Sequence, residues 1–585
     1  GVDLTTYQFY SSLMQPTNLQ NYNFNAAFRI SYKLFKGLTI SANMGYNRNS
    51  TNETSINPGV AQNPMYINRQ ANFSVNNFQT INIEPQINYN RNIGKGNLSV
   101  LVGTTYKKNT NNSTYTTGQG YSNDNFLGSI NGAPSVSAMD ASNIYRYSAG
   151  FARLNYIYNS EFILNLTGRR DGSSNFGPGH QFGNFGSIGA GWIFSEREGI
   201  KKLSPVLSYG KISGSYGTSG SDGIKAYQYQ ALYAGFPPYL PNFQGINPSY
   251  PVNLYNPDYS WALKRSLNIA LDLGLFDNRL LFNTTYYRNR EGNQLVDYPL
   301  PIQVGKSSVL GNLNATVQNQ GFEFSISSTN IRKKNFSWKS SFNISFNRNK
   351  LLAFPDLASS SYANVYEIGE PTSIIYGYRY KDVNPKTGLF EFYAKDGTVT
   401  SNPVYGPAST GGDQVPIGNQ EIKYMGGLGN TFTWKQFSLY IYCQFSSRNA
   451  PSYLAEIYNS NQLGFAHNQP VAVLDNYWKE AGDVKQLQRL GSSYSSAVVG
   501  PALRFAQSSG VYSDDTYLRV KTVSLSYQLP DAFLSKAHMK GASVFANAQN
   551  LLTFTNYKVG DPETPGSVAT FPVQRILAFG LNLKL

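Results

Sequence analysis

The feature that most constrains this chain is the strict alternation of its last residues. From Leu577 to Leu585, every odd position is a large apolar residue, and every even position is alanine, glycine, asparagine or lysine. Because successive side chains of a β-strand lie on opposite faces, this pattern predicts a strand with one apolar and one polar face. The same alternation recurs in three other segments, which span residues 267–275, 336–346 and 437–445.

These segments have the length and the polar residues of membrane-spanning strands. Each is about nine to eleven residues long, which is what a tilted strand needs to cross a bilayer. Their polar faces are dominated by small or uncharged residues, chiefly Ser, Asn, Gln, Gly and Tyr, which favours a water-filled lumen over the more charged surface of a soluble sandwich. Aromatic residues at the junctions of strands and turns are typical of interface girdles. Here they are Tyr32, Trp192, Phe194, Trp338 and Trp434.

Composition argues against the other large classes of protein. Of the 585 residues, 41% are hydrophobic but only 14% are charged, whereas roughly a quarter of the residues of a soluble domain are charged. The sequence contains no run of about 18 consecutive apolar residues, which is the length that a membrane-spanning helix needs. The net charge is +15, but Lys and Arg are scattered along the chain, so we expect no nucleic-acid partner. The excess of positive charge is equally compatible with basic turns, an anionic ligand or contact with lipopolysaccharide phosphates.

Short and long connections alternate between the predicted strands. The short ones span 35–37, 159–161, 276–279 and 332–335, and the long ones span 54–71, 120–142, 218–258, 291–314, 349–420 and 447–515. Short periplasmic turns that alternate with long extracellular loops are typical of outer-membrane barrels.

The predicted fold is therefore all-β, a transmembrane antiparallel β-barrel of the cell outer membrane with long extracellular loops. About 17 strands can be counted, and both the first and the last of them run toward the periplasm. Single-chain barrels have even numbers of strands, and outer-membrane transporters have about 22. We therefore expect residues 1–585 to form the C-terminal part of a barrel domain whose first strands lie outside this sequence.

The sequence contains no pattern of catalytic or metal-binding residues. Its three histidines lie in separate connections: His180, His467 and His538. No zinc-protease, hydrolase or paired-cysteine motif occurs. The segment Asp382–Gly388 has the spacing of half a calcium loop, but Lys386 lies where an acidic ligand would help, so a tight hairpin turn is the simpler interpretation. We expect no enzyme activity, metal or cofactor, and we expect the single cysteine, Cys443, to face lipid.

Several segments resemble the SusC/RagA-like TonB-dependent transporters of the Bacteroidota. The segments occur in the same order as in that family, from about residue 140 to the end of the chain. Each segment alone is a weak match, and the ordered series is what is specific for the family. The segments are Leu166–Pro178 (LTGRRDGSSNFGP), Asn256–Trp261 (NPDYSW), Val317–Glu323 (VQNQGFE), Thr516–Tyr527 (TYLRVKTVSLSY) and Asn547–Phe554 (NAQNLLTF).

This resemblance implies a 22-stranded barrel, an N-terminal plug domain and a TonB box. It also implies a SusD-like surface lipoprotein as a lid, energy supplied by TonB–ExbB–ExbD, and import of an oligosaccharide or peptide nutrient. Nothing in this sequence resembles the plug or the TonB box, which precede the barrel in the family. The alternative function is that of a structural scaffold, a SusC-like barrel that docks lipoproteins within a larger outer-membrane assembly.

Two segments are candidate binding sites. The connection 218–258 is rich in aromatic residues, which in such transporters would stack on a glycan or peptide: Tyr227, Tyr229, Tyr233, Phe236, Tyr239, Phe243, Tyr250 and Tyr255. Packing of this loop on itself or on a lipoprotein is the favoured alternative. The segment Arg169–Gly172 would bind an anionic substrate or, as we favour, fix its loop through an ion pair.

Overall fold

The computed structural model describes residues 11–63, 65–202, 206–235, 244–246, 248–301, 303, 307–460, 463–464, 471–492, 497–534, 539–558, 560–566 and 571–584. Seventeen strands belong to one large antiparallel sheet. They are β1 (Thr17–Phe35), β2 (Leu38–Asn57), β3 (Gln70–Ile93), β4 (Gly96–Gln119), β5 (Ser135–Tyr158), β6 (Phe162–Ser173), β7 (Phe182–Trp192), β8 (Leu207–Ser221), β11 (Ala262–Leu275), β12 (Leu280–Pro299), β13 (Ser308–Lys333), β14 (Phe336–Ala353), β20 (Tyr424–Trp434), β21 (Phe437–Pro451), β22 (Tyr512–Gln528), β23 (Gly541–Thr555) and β24 (Ile576–Lys584).

Shorter elements lie in the connections. The short strands are β9 (Leu232–Gly235), β10 (Ser249–Asn253), β15 (Ile374–Gly377), β16 (Arg379–Val383), β17 (Phe390–Tyr393), β18 (Val399–Thr400) and β19 (Val415–Asn419). The α-helices are α1 (Glu198–Lys201), α2 (Tyr453–Ser460), α3 (Val499–Ala506) and α4 (Asp531–Leu534). Single 3-10 turns occupy Ser11–Met14, Gly59–Ala61, Asp124–Phe126, Ile130–Gly132, Phe194–Glu196, Leu357–Ser359, Ala408–Thr410, Val471–Val473 and Ser509–Val511. Within the described residues, no helix has both the length and the apolar character to span a membrane.

The chain divides into two compact units. The first unit contains residues 1–190, 217–264 and 293–313, and the second contains residues 191–216, 265–292 and 314–585. In the first unit, strands β1 to β6 pair antiparallel in the order of the chain. Leu154 in β5, for example, lies opposite Val100 in β4 and Leu166 in β6.

These registers give the strands of the first unit one apolar and one polar face, as the alternation predicts. We name the two surfaces the apolar face and the polar face. The apolar face includes Ile40, Met44, Ile83, Ile87, Val100, Val102, Leu154, Leu164 and Leu166, and most of these side chains are exposed. The polar face includes Asn43, Asn47, Asn82, Asn109, Asn155 and Asn165. A lipid-facing barrel surface requires such an exposed apolar band.

The strands of the second unit show the same division. Phe342 in β14 lies opposite Ile326 and Leu428, and Leu428 in turn lies opposite Cys443 in β21. Cys443 therefore belongs to the apolar face of its strand, and its contact with lipid stays a prediction. Near the short turns, Trp338 stacks on Phe432 with ring centroids 5.6 Å apart. Such aromatic pairs at strand ends are typical of a membrane interface.

The four short connections were predicted correctly, but the bounds of the long ones were not. The connection expected at 291–314 is the clearest error, because β12 continues to Pro299 and β13 already begins at Ser308. Both strands continue beyond their apolar segments through polar residues. Hydrogen-bonded ladders do not need apolar alternation where both faces meet water, so the sequence pattern ends before the strand does.

Candidate functional site

The connection between β8 and β11 in the first unit folds around a small aromatic cluster. Phe176, Ile224 and Tyr259 are buried, and Tyr229 and Trp261 pack against them. The Tyr259 hydroxyl donates a hydrogen bond to the carbonyl of Leu310 at 2.7 Å. Burial raises the pKa of Tyr259 above its usual value, so the phenol stays protonated and remains a donor at neutral pH.

Asp222 anchors this loop to the neighbouring strands. Its carboxylate accepts hydrogen bonds from the hydroxyls of Tyr145 at 2.8 Å and Ser173 at 2.6 Å. The side chain of Asn175 donates to the backbone carbonyls of Asp222 and Ile224. Charge-assisted hydrogen bonds of this kind hold a loop in one conformation.

A cavity of about 410 Å³ opens beside the cluster. It is lined by Gln228, Tyr250, Pro251, Val252, Asn253, Leu254, Tyr259, Asp297, Ser307, Ser308, Val309 and Leu310. The volume lies within the range of small-ligand pockets, and the lining combines aromatic rings with amide, hydroxyl and carboxylate groups. Such a lining can stack on an apolar surface of a ligand while hydrogen-bonding its polar edge.

The predicted aromatic residues of this connection have different environments. Tyr229 packs in the cluster, Tyr227 adopts a left-handed backbone conformation with φ of 65°, and Tyr250 lines the cavity. Tyr233 and Tyr255 are 67% and 64% exposed. The remaining three predicted residues, Phe236, Tyr239 and Phe243, lie outside the described residues.

The cavity also contains residues that sequence reasoning missed. Tyr259 and Asp297 are brought together from separate connections and strands, and neither belongs to a recognisable binding motif. Tyr259 does lie in the segment Asn256–Trp261 that carries the family resemblance, which is the one signal that could have indicated it.

The segment Arg169–Gly172 contains the ion pair that the sequence analysis favoured. The Arg169 Nε lies 2.7 Å from Oδ1 of Asp171, whose side chain is nearly buried. The Tyr147 hydroxyl accepts a further hydrogen bond from Arg169 at 2.5 Å. Nε and one terminal nitrogen of Arg169 are thus engaged within the protein, which supports the interpretation that this ion pair fixes the segment.

In the second unit, the two longest connections fold together into a compact structure that we name the loop module (residues 354–423 and 452–511). Its core contains Tyr378, Val383, Phe390, Phe392, Leu454, Tyr458, Leu487, Phe505 and Val511. Phe390 stacks on Phe505 with ring centroids 4.0 Å apart and planes inclined by 8°. The rings of Tyr458 and Tyr380 meet Phe390 edge-on, and burial raises the pKa of both tyrosines.

The segment Asp382–Gly388 in the loop module is a hairpin turn between β16 and β17. The side-chain oxygen of Asn384 accepts hydrogen bonds from the backbone N–H groups of Lys386 and Thr387. Asp382 is paired with Lys381 at 3.4 Å. Throughout the part of the chain that the structure describes, no group of three or more His, Cys, Asp or Glu side chains is placed to hold a metal ion.

The last long connection of the second unit is fixed by a buried ion pair. Arg519 in β22 lies 2.7 Å from Oδ1 of Asp561, and the two side chains are only 3% and 4% exposed. Asp561 also accepts hydrogen bonds from the backbone N–H groups of Glu563 and Val573. Arg519 and Lys521 share Glu563 as a second acidic partner. The carboxylate of Asp561 thus joins the backbone at Glu563 and at Val573 to strand β22.

Comparison with known proteins identifies the type of barrel. Residues 2–551 match the family described as TonB dependent receptor-like, beta-barrel. The chain is 27% identical over 606 residues to TonB-dependent receptor P3 of Formosa agariphila, covering 96% of this chain and 58% of that protein. It is 23% identical over 458 residues to the TonB-dependent receptor SusC of Bacteroides thetaiotaomicron, covering 74% of this chain and 43% of that protein.

Solved structures show the same fold. The structure of the RagAB peptide transporter matches with a TM-score of 0.86 and 23% identity, covering 98% of this chain and 63% of that chain. The RagAB peptide importer in its open-open state matches with a TM-score of 0.82 and 24% identity, covering 99% of this chain and 62% of that chain. The chain spans less than two thirds of the length of each of these proteins. The predicted resemblance to the SusC/RagA-like TonB-dependent transporters is confirmed. This chain belongs to the TonB-dependent receptor-like β-barrel family and is an outer-membrane protein of the SusC/RagA type.

Proposed function

We propose that this chain forms the barrel of a TonB-dependent importer of an oligosaccharide or peptide nutrient, and that a SusD-like lipoprotein covers it as a lid. The observation that carries the proposal is the cavity beside Tyr259, because its lining of aromatic, amide and carboxylate groups suits a sugar ring or a short peptide. The similarity to SusC and to the RagAB peptide transporter supports the same substrate classes.

The polar face supplies the second part of this mechanism. Asparagine side chains from adjacent strands hydrogen-bond to one another along it, as Asn47 in β2 donates to Asn23 in β1 at 3.4 Å. Thr80 bonds to Asn109 at 3.1 Å. Amides and hydroxyls can exchange such bonds for bonds to a passing polar ligand without exposing a buried charge. In this proposal the loops capture the substrate, and TonB–ExbB–ExbD supplies the energy that opens the path along the polar face.

The loop module offers a surface for the lipoprotein. Its core is fully formed, yet several of its apolar side chains are exposed: Val404, Tyr405, Val471, Leu474 and Val484. Apolar residues that form a contiguous exposed patch on a folded domain are typical of a protein interface. This surface supports the proposed SusD-like partner, and it also fits the scaffold alternative.

Replacing Tyr250 by alanine tests the cavity. We expect the Y250A variant to lose substrate affinity by about tenfold, since one stacked aromatic ring contributes roughly 1–2 kcal/mol. The matched control is Tyr255→Ala, because Tyr255 lies in the same loop and is exposed but does not line the cavity. The measurement is concentration-dependent growth on a panel of oligosaccharides and protein digests. Equal growth of the two variants would place substrate binding elsewhere.

Deletion of the gene separates the importer from the scaffold. We expect the deletion strain to lose growth on one class of oligosaccharide or peptide, and the intact gene to restore it. Envelope composition, measured by quantitative proteomics of the outer membrane, should otherwise be unchanged. Normal growth on every tested nutrient, together with loss of several lipoproteins from the outer membrane, would contradict the importer and support the scaffold.

A further inference from the structure

Four basic residues border the upper edge of the apolar face in the first unit. Arg48 in β2, Lys108 in β4, Arg146 in β5 and Arg170 in β6 all belong to this face by their strand registers. They lie on the side of the apolar residues that leads to the long connections. In a barrel of this family that side is extracellular. The four residues are therefore at the level where the outer leaflet of the membrane ends.

The strand registers bring two of these charges side by side. Lys108 lies directly opposite Arg146 on the neighbouring strand. Opposed like charges on adjacent strands destabilise a sheet unless an anion lies between them. Two positions further along the same ladder, Tyr106 lies opposite Ser148, and the apolar residues follow with Val102 opposite Ala152. The transition from lipid-facing to basic side chains thus takes place within a few residues.

In the described strands β1 to β6, no carboxylate pairs with this group of basic residues. Within β1 to β6, Glu53, Glu84 and Asp171 belong to the polar face by their registers. The apolar face of these strands carries Asp140 alone, further along β5 toward the long connection. Among the described residues, no ion pair is formed by Lys108, Arg146 or Arg170. The charges are available to an external anion.

A concave surface lies beside these charges. A cavity of about 350 Å³ is lined by Tyr106, Arg146, Tyr147, Ser148, Gly172, Ser173, Ser174, Gln181 and Phe182. The Arg170 guanidinium lies 5.1 Å above the ring of Phe182 at its border. A Cβ atom at Gly172 would meet the Phe182 ring at 2.6 Å, so glycine is needed for this close packing. Arginine, hydroxyl and amide groups around a concavity of this size suit a phosphorylated sugar.

We propose that this surface binds a phosphate of a glycolipid in the outer leaflet, of the lipid A type. A soluble anion would need only the basic residues, and its binding would not involve the apolar residues beside them. A phosphorylated glycolipid matches both features, because its acyl chains would cover the apolar residues and its phosphate would lie between Arg146, Lys108 and Arg170. This inference is independent of the substrate that the barrel imports.

The test is native mass spectrometry of the protein purified from outer membranes and placed in phosphatidylcholine nanodiscs that contain diphosphoryl lipid A. We expect the double variant Arg146→Gln/Arg170→Gln to bind lipid A roughly tenfold more weakly, since each lost arginine removes charge-assisted hydrogen bonds to phosphate. The matched control is Lys107→Gln/Arg153→Gln, which removes two positive charges from the polar face of the same strands. Lipid A binding by this control should equal that of the unchanged protein.

Two further measurements keep the result decisive. The variant Arg146→Lys/Arg170→Lys keeps the charges and should recover most of the binding, which shows that the glutamine variant did not fail through misfolding. Inorganic phosphate should not compete with lipid A at concentrations that saturate a small-anion site. Equal lipid A binding by the two glutamine variants, or full competition by inorganic phosphate, would overturn the proposal.

Discussion

Replacing Phe390 by alanine is expected to unfold the loop module while the strands of the second unit stay paired. Phe390 is fully buried, stacks on Phe505 and meets Tyr380 and Tyr458 edge-on. Truncation of a buried phenylalanine costs about 3–5 kcal/mol, through lost transfer free energy and the cavity that remains. That is a large part of the roughly 5–15 kcal/mol that stabilises a typical domain. The strands of the module contain only two to five residues, so its stability depends largely on this apolar core.

Limited proteolysis with mass spectrometry measures this effect. We expect new cleavage sites within 354–423 and 452–511, and an unchanged mobility shift of the barrel between heated and unheated gel samples. The matched control is Tyr393→Ala, because Tyr393 lies on the same strand as Phe390 but is exposed. Equal protease resistance of F390A and Y393A would show that the aromatic stack does not hold the module together.

Replacing Arg519 by methionine is the second change with a large expected effect. Methionine has a similar length but leaves the buried carboxylate of Asp561 without its partner. Removal of one member of a buried ion pair costs about 3–5 kcal/mol, mainly because the other charge is left uncompensated. We expect the connection between β23 and β24 to detach from β22, and hydrogen exchange at residues 560–566 to accelerate strongly. The control is Lys521→Met on the same strand, whose pair with Glu563 is more exposed and contributes about 1 kcal/mol or less.

The same site has a predicted pH dependence. Burial alone would raise the pKa of Asp561, but hydrogen bonds from Arg519, Glu563 and Val573 outweigh burial and hold the pKa below its usual value of 3.8. The stabilisation is therefore complete above pH 3.8 and is lost only as the pH falls through the lower folded-state pKa. Hydrogen exchange at this connection should be protected down to that pH. Loss of protection already at pH 5 to 6, or protection in R519M equal to that in K521M, would contradict the role of the ion pair.

The strands of the barrel could be predicted from sequence because their cause is local. A period of two residues fixes which side chain faces lipid, so Leu581 and Phe342 identified their strands without knowledge of any partner. The turn at 35–37 was placed correctly for the same reason, since Lys36 and Gly37 separate two segments that each predict a strand. The connection 291–314 was too long in the prediction because its flanking strands continue through residues that carry no alternation.

The sites depend on contacts that are distant in sequence, and there the sequence was less informative. Asp222 is anchored by Tyr145 and Ser173, and Asp561 is paired with Arg519. No spacing rule connects such residues, because the strands bring them together only after the sheet has formed. Of the candidate aromatic residues in this loop, Tyr250 lines the cavity, whereas Tyr233 and Tyr255, of the same type, are largely exposed.

The uninterrupted pairing of β14 with β20 has a consequence for how such receptors diversify. These strands are in register from Phe336 opposite Trp434 to Ser345 opposite Met425, although the large insertion 354–423 separates them in sequence. Closing a loop costs free energy that grows only with the logarithm of its length, about 0.6 kcal/mol for each doubling. The hairpin can therefore accept long insertions, deletions and exchanges at almost constant stability. Natural selection can rewrite what this receptor recognises while the part embedded in the membrane changes little.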